Sequence, residues 1–146
     1  MAGFSDTYES NILKLILTAV AIANIADNTA TSPATVLWAS LHTADPGDTG
    51  FQGTSESTYT GYTRISVART TAGWSVGAAG NASPVAAITF PQATSTSTST
   101  ITHAGIGMSS ATTAGILIAS GALSPTINIA QNVTPSLTTG SSFTLD

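Results

Sequence analysis

The chain has 146 residues, of which 42% are apolar and only 7% are charged, and its formal net charge is −4. Three basic side chains can form neither a groove that follows a nucleic-acid backbone nor a polybasic membrane patch, so nucleic acid is not an expected partner. The length predicts a single domain over residues 1–146, and the absence of cysteine excludes disulfides, zinc–thiolate sites and thiol nucleophiles.

The N-terminal segment predicts an amphipathic helix at about residues 6–26. Asp6 and Glu9 have the spacing of a capping box, in which each side chain satisfies a backbone amide of the first turn. Such a helix is more often packed within its own chain, but it can also contact a second subunit. The apolar stripe at helical spacing consists of Ile12, Leu15, Ile16, Ala19 and Ala23, widened by Leu13, Leu17 and Val20. The candidates for contact with a partner are Ile12, Leu13, Leu15 and Ile16.

The same segment raises the question of a membrane span or a signal peptide. Its apolar run, residues 12–26, is interrupted by Lys14, Thr18 and Asn24 and is shorter than the roughly 18 to 20 apolar residues that a span needs. Acidic rather than basic residues precede it, which disfavours a signal peptide. We therefore expect no membrane span.

From residue 34 to residue 146 the pattern changes to short β-type runs separated by turn residues. The predicted strands are residues 35–42, 62–69, 85–90, 99–108, 115–123, 126–132 and about 141–145. No second long helix follows, which disfavours repeated βαβ units. The chain is therefore predicted to be mainly β, an antiparallel β-sandwich or barrel-like domain with one N-terminal α-helix.

The most biased segment is QATSTSTSTITHAG, residues 92–105. It predicts either a flexible loop or a long strand whose threonines pair with a neighbouring hydroxyl-bearing strand, including one from another subunit. Strict alternation places its threonines on one face. The candidates for partner contact on this face are Thr96, Thr98 and Thr100.

Two short motifs have residue types that also occur in catalytic or metal-binding sites. Gly73 to Gly77, GWSVG, matches the pattern of a nucleophile elbow around Ser75, but the glycine-rich turn that follows it lacks the required helix. We therefore interpret Trp74 and Val76 as strand residues.

The second motif is ASLHTADPGDTG, residues 39–50, where His42, Asp45 and Asp48 could in principle hold a metal or belong to a hydrolytic site. Such a site needs a further ligand or a nucleophile. Asp45, Pro46 and Gly47 are typical of a turn, because proline presets φ and glycine accepts positive φ. The motif is therefore predicted to be a strand and its closing turn, with no catalytic, cofactor-binding or metal site.

Several segments in order carry a family resemblance: LHTADPGDTG, YTGYTRISVAR, AAITFPQA, ITHAGIGM, GILIASGALS and SFTLD. Together they resemble a family of small tailed-bacteriophage virion structural proteins, commonly labelled tail-fibre proteins and similar to capsid decoration or cement proteins. The matching positions are residues 41–46, then Tyr62 and Arg64, Phe90 and Pro91, and Thr102, His103, Gly105 and Ile106. The resemblance implies structural roles for these residues, and no catalytic residue or cofactor.

Two virion roles are compatible with this resemblance. A decoration protein that binds and stabilises the outer head lattice is the preferred one, because a single compact β module with an apolar N-terminal element suits it. The alternative is a tail-fibre or tail-adaptor structural protein, although the repeats or coiled coil typical of fibres are not visible. An enzyme such as a glycan hydrolase is disfavoured, because only seven acidic residues are available for paired carboxylates.

The preferred role also predicts partners and location. The expected partners are the major capsid protein and copies of the chain itself, as a trimer. The resemblance places the protein on the surface of the phage particle after synthesis in the bacterial host cytoplasm. Weak contacts repeated over many copies would supply the affinity.

Overall fold

The computed structural model describes residues 6–21, 33–47, 49–78, 80–112 and 115–144. Their contacts cluster into two compact units. Unit 1 comprises Met1–Val36, Ala68–Ala87 and Leu137–Asp146, and unit 2 comprises Leu37–Val67 and Ile88–Ser136. The single-domain organisation stays a prediction.

One helix and nine strands occur in the described residues. They are α1 Asp6–Thr18, β1 Val36–His42, β2 Ile65–Ala68, β3 Trp74–Val76, β4 Asn81–Pro84, β5 Ile88–Thr89, β6 Ser99–Gly107, β7 Leu117–Ile129, β8 Ser136–Leu137 and β9 Phe143–Thr144. The strands form sheets of order β2-β1-β6-β7, β3-β4-β9 and β5-β8. The predicted mainly β, antiparallel class with one helix is confirmed, and in the described ranges the sheets do not close into a barrel.

In unit 1, helix α1 packs on β3 and β4. Leu13 and Leu17 face this contact and are 4% and 0% exposed. The hydroxyl of Ser10 donates to the Gly77 carbonyl at 2.8 Å and accepts the Gly80 amide at 3.2 Å. The buried face therefore contains Ser10, Leu13 and Leu17. The prediction was wrong about the centre of the stripe, whereas two of the residues that widen it, Leu13 and Leu17, are buried.

The error has a physical cause. Apolar side chains surround α1, so periodicity alone could not select which of them face the core. Ile12, Leu15 and Ile16, which belong to the predicted stripe, are only half-buried. The Ser10 hydrogen bonds and the burial of Leu13 and Leu17 together mark the face that packs in unit 1.

Helix α1 ends at Thr18, earlier than predicted. Ala19 has a φ of 57°, a left-handed conformation in which an α-helix cannot continue. The Arg69 guanidinium then donates to the carbonyls of Leu15 at 2.6 Å and Ile16 at 2.5 Å. These carbonyls have no partner within the helix, and a positive charge beside them also interacts favourably with the negative end of the helix dipole. Residues 22–26, the remainder of the predicted helix, lie outside the described residues.

The small sheet of unit 1 is centred on β4. Trp74 of β3 pairs in register with Pro84 of β4, and its ring packs edge-on against Phe143 of β9 with centroids 6.1 Å apart. The strand interpretation of Trp74 and Val76 is confirmed, as is the last predicted strand, at Phe143–Thr144. Strand β4, with the sequence NASP, was not predicted because its residues are typical of turns.

In unit 2, β1 and β6 form the centre of the four-stranded sheet. They are antiparallel, in a register that runs from Trp38 opposite Gly107 to His42 opposite His103. Strand β1 confirms its prediction almost to the residue. The predicted strands at 62–69 and 85–90 are shorter than expected, since only Ile65–Ala68 and Ile88–Thr89 are strands.

Strand β7 corrects a further prediction. Two strands were expected around Pro125, whereas one strand of 13 residues, Leu117–Ile129, runs through it. Its register to β6 jumps from Ile127 opposite Ile101 to Ala122 opposite His103, so residues 123–126 bulge out. A bulge on an edge strand tolerates proline, which explains why proline does not interrupt β7.

The biased serine and threonine tract divides between the two predicted alternatives. Residues 94–98 are irregular, and the strand begins only at Ser99. Thr100 is exposed on β6, and its hydroxyl donates to Asn128 Oδ1 on β7 at 3.2 Å. Thr100 therefore pairs across the sheet with an amide side chain, and the predicted pairing with a hydroxyl-bearing strand is not what the structure shows at this position.

Candidate functional site

His42, the first candidate for chemistry, lies fully buried at the end of β1. Its Nδ1 is 2.8 Å from the Thr54 carbonyl oxygen, which can only accept, so Nδ1 carries the proton. Nε2 is therefore free to accept from the Ser40 hydroxyl at 2.9 Å. Burial lowers the pKa of the imidazole from 6.5. His42 is a neutral hydrogen-bonding residue whose two nitrogens are both occupied.

The turn after β1 has the predicted chemistry. The Gly47 amide donates to Asp45 Oδ1 at 2.9 Å, and Gly47 has a φ of 70°. Asp48, the third candidate ligand, lies outside the described residues. Within the described ranges, no three histidine or acidic side chains are grouped so that they could hold a metal ion.

The strongest polar interaction of unit 2 is the ion pair between Glu56 and Arg64. Arg64 Nε and Nη2 donate to the two carboxylate oxygens at 2.7 Å each, and both side chains are at most 4% exposed. The Tyr62 hydroxyl donates to Glu56 Oε1 at 2.8 Å and accepts the Leu41 amide at 3.0 Å. Burial raises the pKa of Tyr62, which keeps the phenol neutral. Arg64 Nη1 also donates to the Ser109 carbonyl at 2.8 Å.

We call His42, Glu56, Tyr62 and Arg64 the buried polar centre, since Glu56 also forms a β-bridge with His42. A Cβ on Gly105 would lie 2.8 Å from His42 Nε2, so the close approach of β6 requires glycine there.

Four of the six segments that carry the resemblance have residues at or beside this centre. Phe90 stacks on Tyr62, with ring centroids 6.2 Å apart and planes 12° from parallel. The Pro91 carbonyl accepts the Tyr59 hydroxyl at 2.8 Å. The first segment supplies Leu41 and His42, and the fourth supplies Gly105. These four segments are therefore explained by packing and hydrogen bonding around one buried centre.

Two residues of this region were not predicted from the sequence. Glu56 precedes Arg64 by eight residues in a chain with three basic side chains, and this scarcity of charge was the available signal for their pairing. Gln52 is fully buried and links β1 to the segment that follows β6, donating to the Trp38 carbonyl at 2.9 Å and accepting the Ser109 amide at 3.1 Å. No local pattern marked Gln52.

The predicted partner-contact residues lie in different units. On α1, Leu13 is buried while Ile12, Leu15 and Ile16 are half-buried, so Leu13 offers little surface to a partner. In unit 2, Thr96, Thr98 and Thr100 are exposed. Their contact with a partner stays a prediction.

The outer edge of β7 is a second surface of interest. Strand β7 ends the four-stranded sheet, so its outer edge has no strand partner among the described residues. Residues 117–122, LIASGA, contain no proline and no charge, and residues 120–122 are exposed. Natural edge strands are usually protected by charges, prolines or bulges; this segment lacks charge and proline, and its only irregularity among the described residues is one register shift between Leu117 and Ala119.

The described part of the chain contains no helix with the length and hydropathy that crossing a bilayer requires.

A family model described as podophage GP4 fiber I protein gp80 matches residues 3–143. The chain belongs to this family. The expected class, a phage virion structural protein, is thereby confirmed. The family is named for a fibre, which agrees better with the tail-fibre alternative than with the preferred role in capsid decoration. No match is found among curated proteins.

Proposed function

We propose that the chain is a non-enzymatic structural subunit of a phage tail fibre and that it assembles with copies of itself. The observation that carries this proposal is the family match over residues 3–143. Capsid decoration now ranks second, because none of the structural features described above favours a head lattice over a fibre.

The state of the ionisable groups supports a structural role. Both nitrogens of His42 bond to the chain itself, and the Glu56 carboxylate is held by Arg64 and Tyr62. A general acid or base needs a proton-transfer atom within reach of a substrate. The ionisable groups of the buried polar centre instead form hydrogen bonds within the chain itself.

Strand pairing is the contact that we propose between copies. The outer edge of residues 117–122 presents backbone amides and carbonyls that a second strand can pair with. Its lack of charge suits a second copy, because two identical uncharged edges meet without repulsion. Repetition of this contact along a fibre would convert a weak interaction into a stable assembly.

The test is the location of the protein on the virion. Antibodies raised against the purified chain, with immunogold detection on intact particles, are expected to label the tail fibres. Particles made without the gene serve as the control for specificity. Label spread over the head would return the decoration role to first place, and unlabelled virions would remove both roles.

A further inference from the structure

A pocket of about 270 Å³ lies within unit 2, where residues 58–60 approach residues 97–99. Its lining combines one aromatic side chain, Tyr59, with six hydroxyl side chains and no charged group. The hydroxyls belong to Thr43, Thr58, Thr60, Ser97, Thr98 and Ser99. We call this the hydroxyl pocket. It includes Thr98, one of the threonines singled out in the sequence.

The aromatic member of the pocket is held in place. The Tyr59 hydroxyl donates to the Pro91 carbonyl at 2.8 Å, and its ring packs edge-on against Tyr62 with centroids 5.3 Å apart. Burial raises the pKa of Tyr59 to about 12, so the phenol is neutral at physiological pH. A ligand therefore meets a preorganised ring, which lowers the entropic cost of binding.

Several hydroxyls that line the pocket have no hydrogen-bond partner among the described residues. The structure gives no hydrogen bond from the side chains of Thr58, Thr60 or Thr98 to another described residue. Ser99 Oγ is buried and also lacks a partner there. Each hydroxyl can donate one hydrogen bond and accept two. The pocket therefore presents donors and acceptors in one small space.

We propose that the hydroxyl pocket binds a neutral saccharide. A sugar ring carries hydroxyls around its rim and C–H groups on its faces, which match the threonine hydroxyls and the Tyr59 ring respectively. The absence of charged lining gives no counter-ion for a phosphate or carboxylate ligand. The volume of about 270 Å³ leaves room for one sugar ring.

A second pocket extends the site. It has a volume of about 280 Å³ and shares Thr58 and Tyr59 with the hydroxyl pocket. Its lining includes Glu56 and Ser57, whose Oγ is likewise buried without a hydrogen-bond partner among the described residues. Two adjoining pockets on one tyrosine suit an oligosaccharide better than a single sugar.

The first experiment measures binding to the full chain. A panel of glucose, galactose, mannose, N-acetylglucosamine, maltose and lactose is titrated while amide NMR shifts are followed. At least one sugar is expected to bind weakly and to shift the amides of residues 58–60 and 97–99. Binding by none of the panel, or shifts confined to other residues, would overturn the proposal. So would a response to sialyllactose or inorganic phosphate alone.

Matched variants then test the lining. Thr98→Val and Thr58→Val each remove one hydroxyl with little change of shape and are expected to weaken sugar binding about fivefold each. Thr96→Val makes the same substitution at an exposed position of the same tract outside the pocket lining. It is expected to bind as the unmodified chain does. Equal affinity of all three variants would contradict the assignment, and amide spectra verify that each is folded.

The biological meaning of this site rests on the proposed fibre role, which would expose it to saccharides outside the particle. The two proposals fail separately. Absent sugar binding leaves the immunogold label on the fibre unchanged, whereas label on the head leaves the binding measurement intact.

Discussion

At the scale of single residues, the few ionisable side chains of unit 2 are used to hold its loops on the sheet. The Arg64 guanidinium reaches both Glu56 and the Ser109 carbonyl, and His42 reaches Thr54. Buried groups of this kind are costly unless every donor and acceptor is paired. Their contribution is therefore measured best by removing one partner at a time.

Stability should depend on the protonation of His42. The pKa of His42 is lowered in the folded chain, so the unfolded chain binds the proton more readily. The contribution of His42 is complete above pH 6.5, the ordinary pKa, and decreases as the pH falls below it. Urea unfolding at a series of pH values should show this decrease in the free energy of unfolding.

His42→Gln should abolish that part of the pH dependence, because no imidazole remains to take up the proton. His103→Gln, which alters the half-buried neighbour in the register of β1 and β6, is the matched control and should retain it. The same pH profile for the unmodified chain and for His42→Gln would refute the role of burial.

Loss of the Glu56 charge should be among the most destabilising conservative changes. Glu56→Gln removes a buried charge that makes two hydrogen bonds to the Arg64 guanidinium and is expected to cost about 3–5 kcal/mol in the free energy of unfolding. Asp45→Asn makes the same chemical change in an exposed turn and should stay within about 0.5 kcal/mol of the unmodified chain. Denaturant unfolding of both variants checks this, and similar losses for both would contradict it.

At the scale of elements, the ends of α1 and β7 depend on interactions beyond their own sequence. Helix α1 stops where Ala19 turns left-handed and Arg69 takes the last carbonyls. Strand β7 continues past Pro125 because its bulge frees that segment from the ladder. The same strand leaves residues 117–122 as an uncharged edge.

That edge should be sensitive to added charge if copies pair through it. The double variant Ser120→Lys and Ala122→Lys places two exposed cations on one face of β7 and should shift the chain towards monomers. Ala86→Lys with Thr139→Lys adds the same charge at exposed positions outside β7 and should leave association unchanged. Sedimentation velocity distinguishes the two, and equal association of both variants would exclude this edge as the contact.

At the scale of the whole molecule, residues far apart in the chain form the buried polar centre. Leu41, Glu56, Tyr62, Phe90 and Gly105 span more than sixty positions yet lie around one ion pair. Several of the segments that carry the resemblance therefore contribute to one packing arrangement in this chain. The family match over residues 3–143 supports the phage structural class that these segments predicted.

The sequence by itself determined the mainly β class, the position of β1 and the turn at Asp45 and Gly47. These depend on local preferences: alternation, β-branched residues and turn chemistry act within a few neighbouring positions. Composition likewise predicts that nucleic acid is not a partner, because the scarcity of basic side chains can be counted from the sequence alone. Recognition of the phage structural class rested on ordered blocks rather than on any one motif.

Tertiary structure alone decided the buried face of α1, the continuity of β7 and the pairing of Glu56 with Arg64. Each depends on contacts between residues distant in sequence, such as Ser10 with Gly77. The hydroxyl pocket was likewise decided by the tertiary structure, because Tyr59 and Thr98 become neighbours only when their segments fold together. Local propensity cannot encode such distances, since they follow from how the strands and loops pack.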